Sequence, residues 1–463
     1  MNVKPLQKNF CVIPFIHLAT TTEGTCRLCC KVSKFDTINK PDGTPYNVNA
    51  DSIDEIWNSD HYTEIRNRVL SDEQLPECKT CWREEEIFSN DWSKDRKEEL
   101  PSKRRKENQK WLHREETRLT NDWQTVVDNP QIRYFDIRLS NLCNLKCRMC
   151  WPHFSSQIAK EQTQFKNSNQ ATWYKNYDVE EWNTARLWEG INDNIVDIEE
   201  IAFVGGEPTL HSEMYDLLEK LVENNLSGNI RLKITTNITN IHQRFLDLMS
   251  HFKFTEFNTS IDGIGPVNDY IRHPSKWNNI ESNLDKLLAL YTARPDNVSV
   301  NVTPVIQFYN IFDVSNIVRW YVNKWISIGG GHGFNIVLDI LYDPNHLSAN
   351  LLSRDGKDHW YKTVFNPTYE WLYNKILDVD NMSENIQTSW RQLAKLMNRF
   401  INIATYLEVV RYDKETKSLE HCDVTTEHNP RLVQELISYT TQLDKHRREQ
   451  FGLILPNWIE LLK

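Results

Sequence analysis

From about residue 132 the chain alternates short apolar runs with stretches of helical periodicity. The runs at 134–139, 199–204, 231–235, 256–261, 298–305 and 335–341 have the length of strands. Amphipathic segments separate them: after 199–204, Met214, Leu217, Leu218 and Leu221 share one helical face. Such alternation predicts a parallel α/β fold. The first 90 residues read differently. A strand-like Ile16-His17-Leu18-Ala19 gives way to loops and a short helix at 52–59, where Ser52 and Glu55 make a candidate capping box. Residues 91–131 are polar and charged and predict a helical linker, with Lys103-Arg104-Arg105-Lys106 as its solvated face. Segment 155–197 is a long insertion whose Trp173, Trp182 and Trp188 read as local packing. Residues 346–463 read as mostly helical, from spacings such as Leu393, Leu396, Phe400 and Ile403. Four regions result: 1–90, 91–131, 132–345 and 346–463.

Composition narrows the class. Of 463 residues 39% are hydrophobic, with sixteen Trp, eighteen Phe and seventeen Tyr, enough for a buried core. No stretch approaches 18 uncharged apolar residues, so no transmembrane helix is expected. The first eight residues lack an apolar signal core, which points to a cytoplasmic protein. In the cytosol, clustered cysteines speak for metal rather than disulfides. A net charge of −10 counts against a protein that coats nucleic acid.

The most informative pattern is Cys143-Asn144-Leu145-Lys146-Cys147-Arg148-Met149-Cys150, placed just after the first barrel-type strand. Three thiolates on one loop can hold three irons of a [4Fe–4S] cube and leave the fourth open. A structural zinc site wants four protein ligands. A second pattern, Gly205-Gly206-Glu207-Pro208, ends the next strand. Paired glycines there allow backbone to approach a ligand closely, and Glu207 adds negative charge. With both motifs in order and at strand ends, the chain resembles the radical S-adenosylmethionine (SAM) superfamily. The resemblance implies a partial (β/α)6 TIM-like barrel with its chemistry at the C-terminal ends of the strands. It implies that Cys143, Cys147 and Cys150 hold a [4Fe–4S] cluster, and that SAM binds its open iron with Gly205, Gly206 and Glu207 around the methionine end. Met149, where relatives often carry an aromatic residue on the adenine, is soft enough to fill that place.

The first 90 residues hold six of the ten cysteines. Cys78-x2-Cys81 can grip a metal from a tight turn, with Cys11 and Cys29 or Cys30 arriving from elsewhere in the fold. Zinc and iron–sulfur both suit four thiolates. The early Cys-x2-Pro-Phe strand, Gly24-x4-Cys29, Glu-Ile-Trp-Asn-Ser at 55–59 and the closing Cys-x2-Cys resemble the auxiliary-cluster module called Twitch or SPASM. That resemblance implies a second [4Fe–4S] cluster on Cys11, Cys29, Cys78 and Cys81, with Cys30 the rival of Cys29. The module usually follows the barrel, and here it precedes it. Cys26 and Cys422 have no assigned partner.

Smaller candidates lie near the strand ends. Ser260 and Asp262 suit ribose hydroxyls, and Arg272 suits a carboxylate; similar enzymes use such positions for SAM. Thr236, Asn237, Gln307 and Asn310 fall where they can line the same cavity, and His153 and His211 read as structural. No side chain is singled out as a general acid or base, because the cofactor carries the hard chemistry. The implied activity is reductive cleavage of SAM to a 5′-deoxyadenosyl radical that takes hydrogen from a substrate. An external flavodoxin- or ferredoxin-type protein supplies the electron. A peptide or protein substrate is expected, with a nucleotide or amino sugar as the alternative. A non-catalytic iron–sulfur redox relay or sensor is the rival of another class.

Overall fold

Apolar runs that need cover on both faces become the inner strands, and half-buried ones alternate. The computed structural model describes residues 9–33, 36–90, 103–113, 123–162, 184–195, 197–413, 418–422, 424 and 429–463. It falls into two units, one of residues 1–143, 152–235 and 247–255, the other of 144–151, 236–246 and 256–463.

In the first unit β1 (His17–Thr20), β2 (Cys26–Arg27), β3 (Tyr134–Arg138), β4 (Glu200–Val204) and β5 (Arg231–Thr236) lie in the order β2-β1-β3-β4-β5. Only β1 and β2 pair antiparallel; β1–β3, β3–β4 and β4–β5 are parallel. Every residue of β3 is buried, the mark of a strand covered on both faces. The cysteine-rich segment is therefore not a layer apart. His17–Thr20 is buried throughout, and β3 supplies the backbone partners that buried N–H and C=O groups require. Helix Ser212–Glu223 buries Met214, Leu217, Leu218 and Leu221, the face its spacing predicts. Ser52 and Glu55 form the expected capping box.

In the basic run Arg105 and Lys106 are exposed, as a solvated face requires, but Arg104 is not. Arg104 is buried, donates to the Phe10 carbonyl oxygen at 2.8 Å, pairs with Glu85 and stacks on Trp82. Asn108 donates to the same carbonyl and accepts from Val12 N–H, so the helix Lys103–His113 packs on the N-terminal segment. One turn further Lys110, with Lys233 at 2.8 Å, neutralises the fully buried Glu200. The predicted packing of Trp173 and Trp182 lies outside the described residues.

In the second unit β6 (Phe254–Thr259, whose first two residues belong to the first unit), β7 (Val298–Val302) and β9 (Phe334–Ile336) are neighbours, and β8 (Val305–Ile306) pairs separately with β10 (Asp339–Ile340). The single predicted strand at 298–305 breaks at Pro304, which has no N–H to continue a ladder. Past 345 the chain is mostly helical, as expected, with Arg391–Tyr406 and Pro430–Arg447 the longest helices. Between them lies an antiparallel hairpin the periodicity did not predict, β11 (Val410–Asp413) with β12 (Ser418–His421). Among the described residues no helix is long and apolar enough to cross a membrane.

Candidate metal centres

The N-terminal thiols come together from three places. Cys11 precedes the turn Ile13–Phe15, Cys29 follows β2, and Cys78 and Cys81 flank the start of the helix Lys79–Asn90. Burial pushes the Cys11 thiol up, and the charges of Cys78, Cys29 and Cys81 push it further, against an opposing Ile13 N–H. Burial likewise raises Cys29, with Cys30, Cys78 and Cys81 adding to it. Cys78 is pushed up to about 12 by burial and by Cys81. Cys11, Cys29, Cys78 and Cys81 thus share one field. Cys30 acts on Cys29 and on Tyr134, and both Cys30 and Cys29 act on Arg27. Among the described residues no group of three or more His, Cys, Asp or Glu closes tightly around a single metal ion. Four thiols, two buried and two half-buried, whose ionised forms repel one another fit a cationic cluster core, which removes the cost of ionising them.

The three-cysteine loop begins in the first unit and continues in the second. In the first, Gly205 and Gly206 have φ of +79° and +36°. A Cβ on Gly206 would stand 2.3 Å from the Leu142 carbonyl oxygen and 2.9 Å from that of Ser140. Glu207 N–H donates to the same Leu142 oxygen at 2.7 Å. Gly206 therefore makes room for the carbonyls that lead into the cysteine loop, while a Cβ on Gly205 would meet Arg138 Cβ at 2.9 Å. Glu207 is buried, and its carboxylate accepts from the Thr209 hydroxyl at 2.7 Å and its N–H at 3.2 Å. Cys143 N–H donates to Ser156 Oγ at 3.3 Å, and Ser156 N–H to the Asn141 carbonyl at 2.7 Å. His211 meets Ser140 at 3.3 Å, and burial lowers its pKa despite Glu213.

In the second unit the loop is pinned by backbone. Lys146 N–H donates to His273 O at 2.6 Å, and Arg148 N–H to Ile271 O at 2.9 Å. Between those acceptors Arg272 aims Nη1 at Cys147 Sγ, 3.7 Å away. Burial pushes the Cys147 thiol up and the Arg272 charge pulls it down. Burial disfavours the charged guanidinium, but Asp262, Cys147 and Cys150 outweigh it and hold Arg272 protonated. Such a donor suits a thiolate that ligates iron.

Asp262 is fully buried: Oδ1 accepts from Val305 N–H at 2.8 Å, and Oδ2 forms an ion pair with Arg272 Nε at 2.7 Å without hydrogen-bond alignment. It orients Arg272 and β8 rather than standing free for a ribose. Ser260 is half-buried, its N–H on the Thr236 carbonyl, and Met149 is half-buried beside Cys150. Asn310 clamps the carbonyls of Asp262 and Val305, and Asn237 holds Asn144 at 2.9 Å. Gln307 Oε1 is buried without a hydrogen-bond partner. Sequence reasoning missed Arg148, which is buried between two loop cysteines and paired to Asp444 and Glu449 nearly 300 residues on. No local pattern announces that pairing.

Residues 137–321 match the radical SAM superfamily, and 11–82 match SPASM, an iron–sulfur cluster-binding domain. The segment 137–321 is thus similar to radical SAM domains, and 11–82 to SPASM domains. A radical SAM domain uses a [4Fe–4S] cluster and SAM, and the SPASM domain an additional iron–sulfur cluster, which favours iron over zinc at the N-terminal thiols. Two GTP 3′,8-cyclases are among its relatives. That of Synechococcus elongatus is 25% identical over 199 residues, 43% of this chain and 54% of that protein. That of Haemophilus ducreyi is 25% identical over 206 residues, 44% and 54%. The chain thus spans about half the length of these curated relatives. Similar solved structures include native anSMEcpe with bound AdoMet (17% identity, 53% of this chain and 61% of that one, TM-score 0.35). Streptococcus suis SuiB bound to precursor peptide SuiA is another (15%, 58% and 54%, TM-score 0.32).

Proposed function

We propose that this radical SAM protein is an enzyme in which Cys143, Cys147 and Cys150 hold the reactive [4Fe–4S] cluster and act on a peptide or protein. The observation that carries the site is the Arg272 guanidinium aimed at Cys147 Sγ from a buried ion pair. Held by Cys143, Cys147 and Cys150, the cluster with SAM would supply one-electron reductive cleavage of a carbon–sulfur bond, to methionine and a 5′-deoxyadenosyl radical able to take hydrogen from the substrate. The chain's part is to position and shield. Gly206 and Glu207 set the approach of the strand end to the cysteine loop, and Gly205, Gly206 and Glu207 would face the methionine end of SAM. Met149 covers the adenine, Ser260 meets a ribose hydroxyl, and Arg272, fixed by Asp262, steadies Cys147. Cys11, Cys29, Cys78 and Cys81 hold the auxiliary [4Fe–4S] cluster for electron transfer, with Cys30 outside its ligand set. A flavodoxin- or ferredoxin-type donor in the cytoplasm supplies the electron.

The SPASM domain favours a peptide, since proteins that resemble it most often modify peptides. The relatives named GTP 3′,8-cyclase favour a second reading, a nucleotide. Deuterium separates them. The reduced protein is incubated with SAM and deuterated candidates of each class, and 5′-deoxyadenosine is analysed by mass. Deuterium gained from a peptide supports the first reading; deuterium gained from a nucleotide and from no peptide replaces it.

A further inference from the structure

Arg148 lies between Cys147 and Cys150, and its side chain is wholly withdrawn from solvent. Its Nη2 meets Asp444 Oδ1 at 2.7 Å and Glu449 Oε2 at 2.6 Å. The guanidinium carbon stands 3.6 Å from the centre of the Tyr270 ring, and Nε donates to the Tyr270 carbonyl at 3.1 Å. The Arg148 carbonyl in turn accepts from Tyr439 Oη–H at 2.6 Å. The acids are themselves fixed. Asp444 accepts from Tyr270 Oη–H at 2.8 Å and from Phe451 N–H at 2.7 Å, and Glu449 meets His273 Nδ1 at 2.7 Å. Both sit at the end of the helix Pro430–Arg447, where the chain turns through Arg448 at φ +57°.

Stability alone does not account for this triad. Withdrawing three charges from water costs several kcal/mol per ion, and apolar side chains of similar volume usually hold a fold as well. What apolar groups cannot do is fix a net charge and one loop shape beside two sulfurs. Local charge and outer hydrogen bonds are what set the potential of an iron–sulfur cluster.

We infer that the C-terminal turn carrying Asp444 and Glu449 shapes the Cys147–Cys150 loop and sets its charge, with Arg148 as the positioning residue through which it acts. This rests on the assignment of Cys147 and Cys150 as cluster ligands. The test uses the full chain reconstituted anaerobically, as wild type, Asp444→Asn/Glu449→Gln, Arg148→Gln and Arg148→Lys. Iron is counted, and the SAM-responsive cluster signal is followed by electron paramagnetic resonance at fixed solution potentials. Removing both acids leaves Arg148 uncompensated and should raise the ratio of reduced to oxidised cluster about tenfold, about 59 mV for one electron. Arg148→Gln should move the ratio the opposite way, Arg148→Lys should stay near wild type, and the auxiliary signal should stay put. Unchanged ratios, shifts of the same sign, or loss of fold in both charge variants would overturn the inference while leaving the cluster assignment standing. A wild type that loads iron but shows no SAM-responsive cluster would overturn the assignment and the inference together.

Discussion

The four thiols of the first unit and the loop thiols of the second stand in opposite surroundings. Cys11, Cys29 and Cys78 are raised by burial and by one another, and what opposes the rise is mainly backbone N–H or a more distant guanidinium. Cys147 is raised by burial too, but a fixed cation, Arg272, lies against it, and Cys150 beyond is half-buried. The first arrangement waits for the cluster to supply its positive charge, so metal loading and local folding are linked there. The second carries its compensating charge in the protein and, with three thiols against four, is the open set beside a closed one. Those two designs suit the reactive centre and the relay proposed above.

The widest break in this comparison comes from removing the open centre alone. Cys143→Ala, Cys147→Ala and Cys150→Ala together should abolish 5′-deoxyadenosine formation while about four irons stay at the N-terminal thiols, read by chromatography and an iron assay. Within the closed site, Cys29→Ala should lose the auxiliary cluster and Cys30→Ala should keep it. An equal loss from both would mean that the shared field does not mark the ligands.

Smaller effects follow in stability. Arg272→Ala strands a fully buried Asp262 and should cost about 3–5 kcal/mol in denaturant unfolding, with Asp262→Asn/Arg272→Ala recovering part of it. Gly206→Ala forces a Cβ onto the Leu142 carbonyl at positive φ, costing roughly 2–4 kcal/mol. The smallest is a pH effect in the second unit. Burial lifts Asp313 to about 6, against the Asn316 amide and Ile264 N–H that favour its ionised form. The folded state binds this proton more tightly than the unfolded chain. Its stabilisation is complete below about pH 4 and is lost as pH rises through about 6. Asp313→Asn should remove that slope, a change of at most about 3 kcal/mol by about pH 8, seen as the difference in Tm across the range.

The strands and their parallel sense were legible because each rests on a local signal: an apolar run, an amphipathic helix after it, a turn. The choice between Cys29 and Cys30 was not, since adjacent cysteines carry the same spacing signal; the charge of Cys29 acts on Cys11, and the paired substitutions above are what separate them. Gly206 was read for a ligand because the carbonyl it accommodates belongs to a loop some 60 residues earlier. Arg104 was read as solvated because its partners, Phe10 and Glu85, come from other elements. The hairpin β11–β12 carries too few apolar positions to show a period of two between long helices. Arg148 needed Asp444 and Glu449, and no periodicity connects them.

One reactive and one auxiliary cluster are proposed for this chain, together with cleavage of SAM. Anaerobic reconstitution with iron and sulfide, an iron count, and a 5′-deoxyadenosine assay with dithionite and SAM test that proposal most directly. The expected result is about eight irons per chain, with SAM perturbing the cluster spectrum and 5′-deoxyadenosine appearing. A fully loaded, reduced chain whose spectrum ignores SAM and which forms no 5′-deoxyadenosine with any substrate would contradict it and leave an iron–sulfur redox relay in its place.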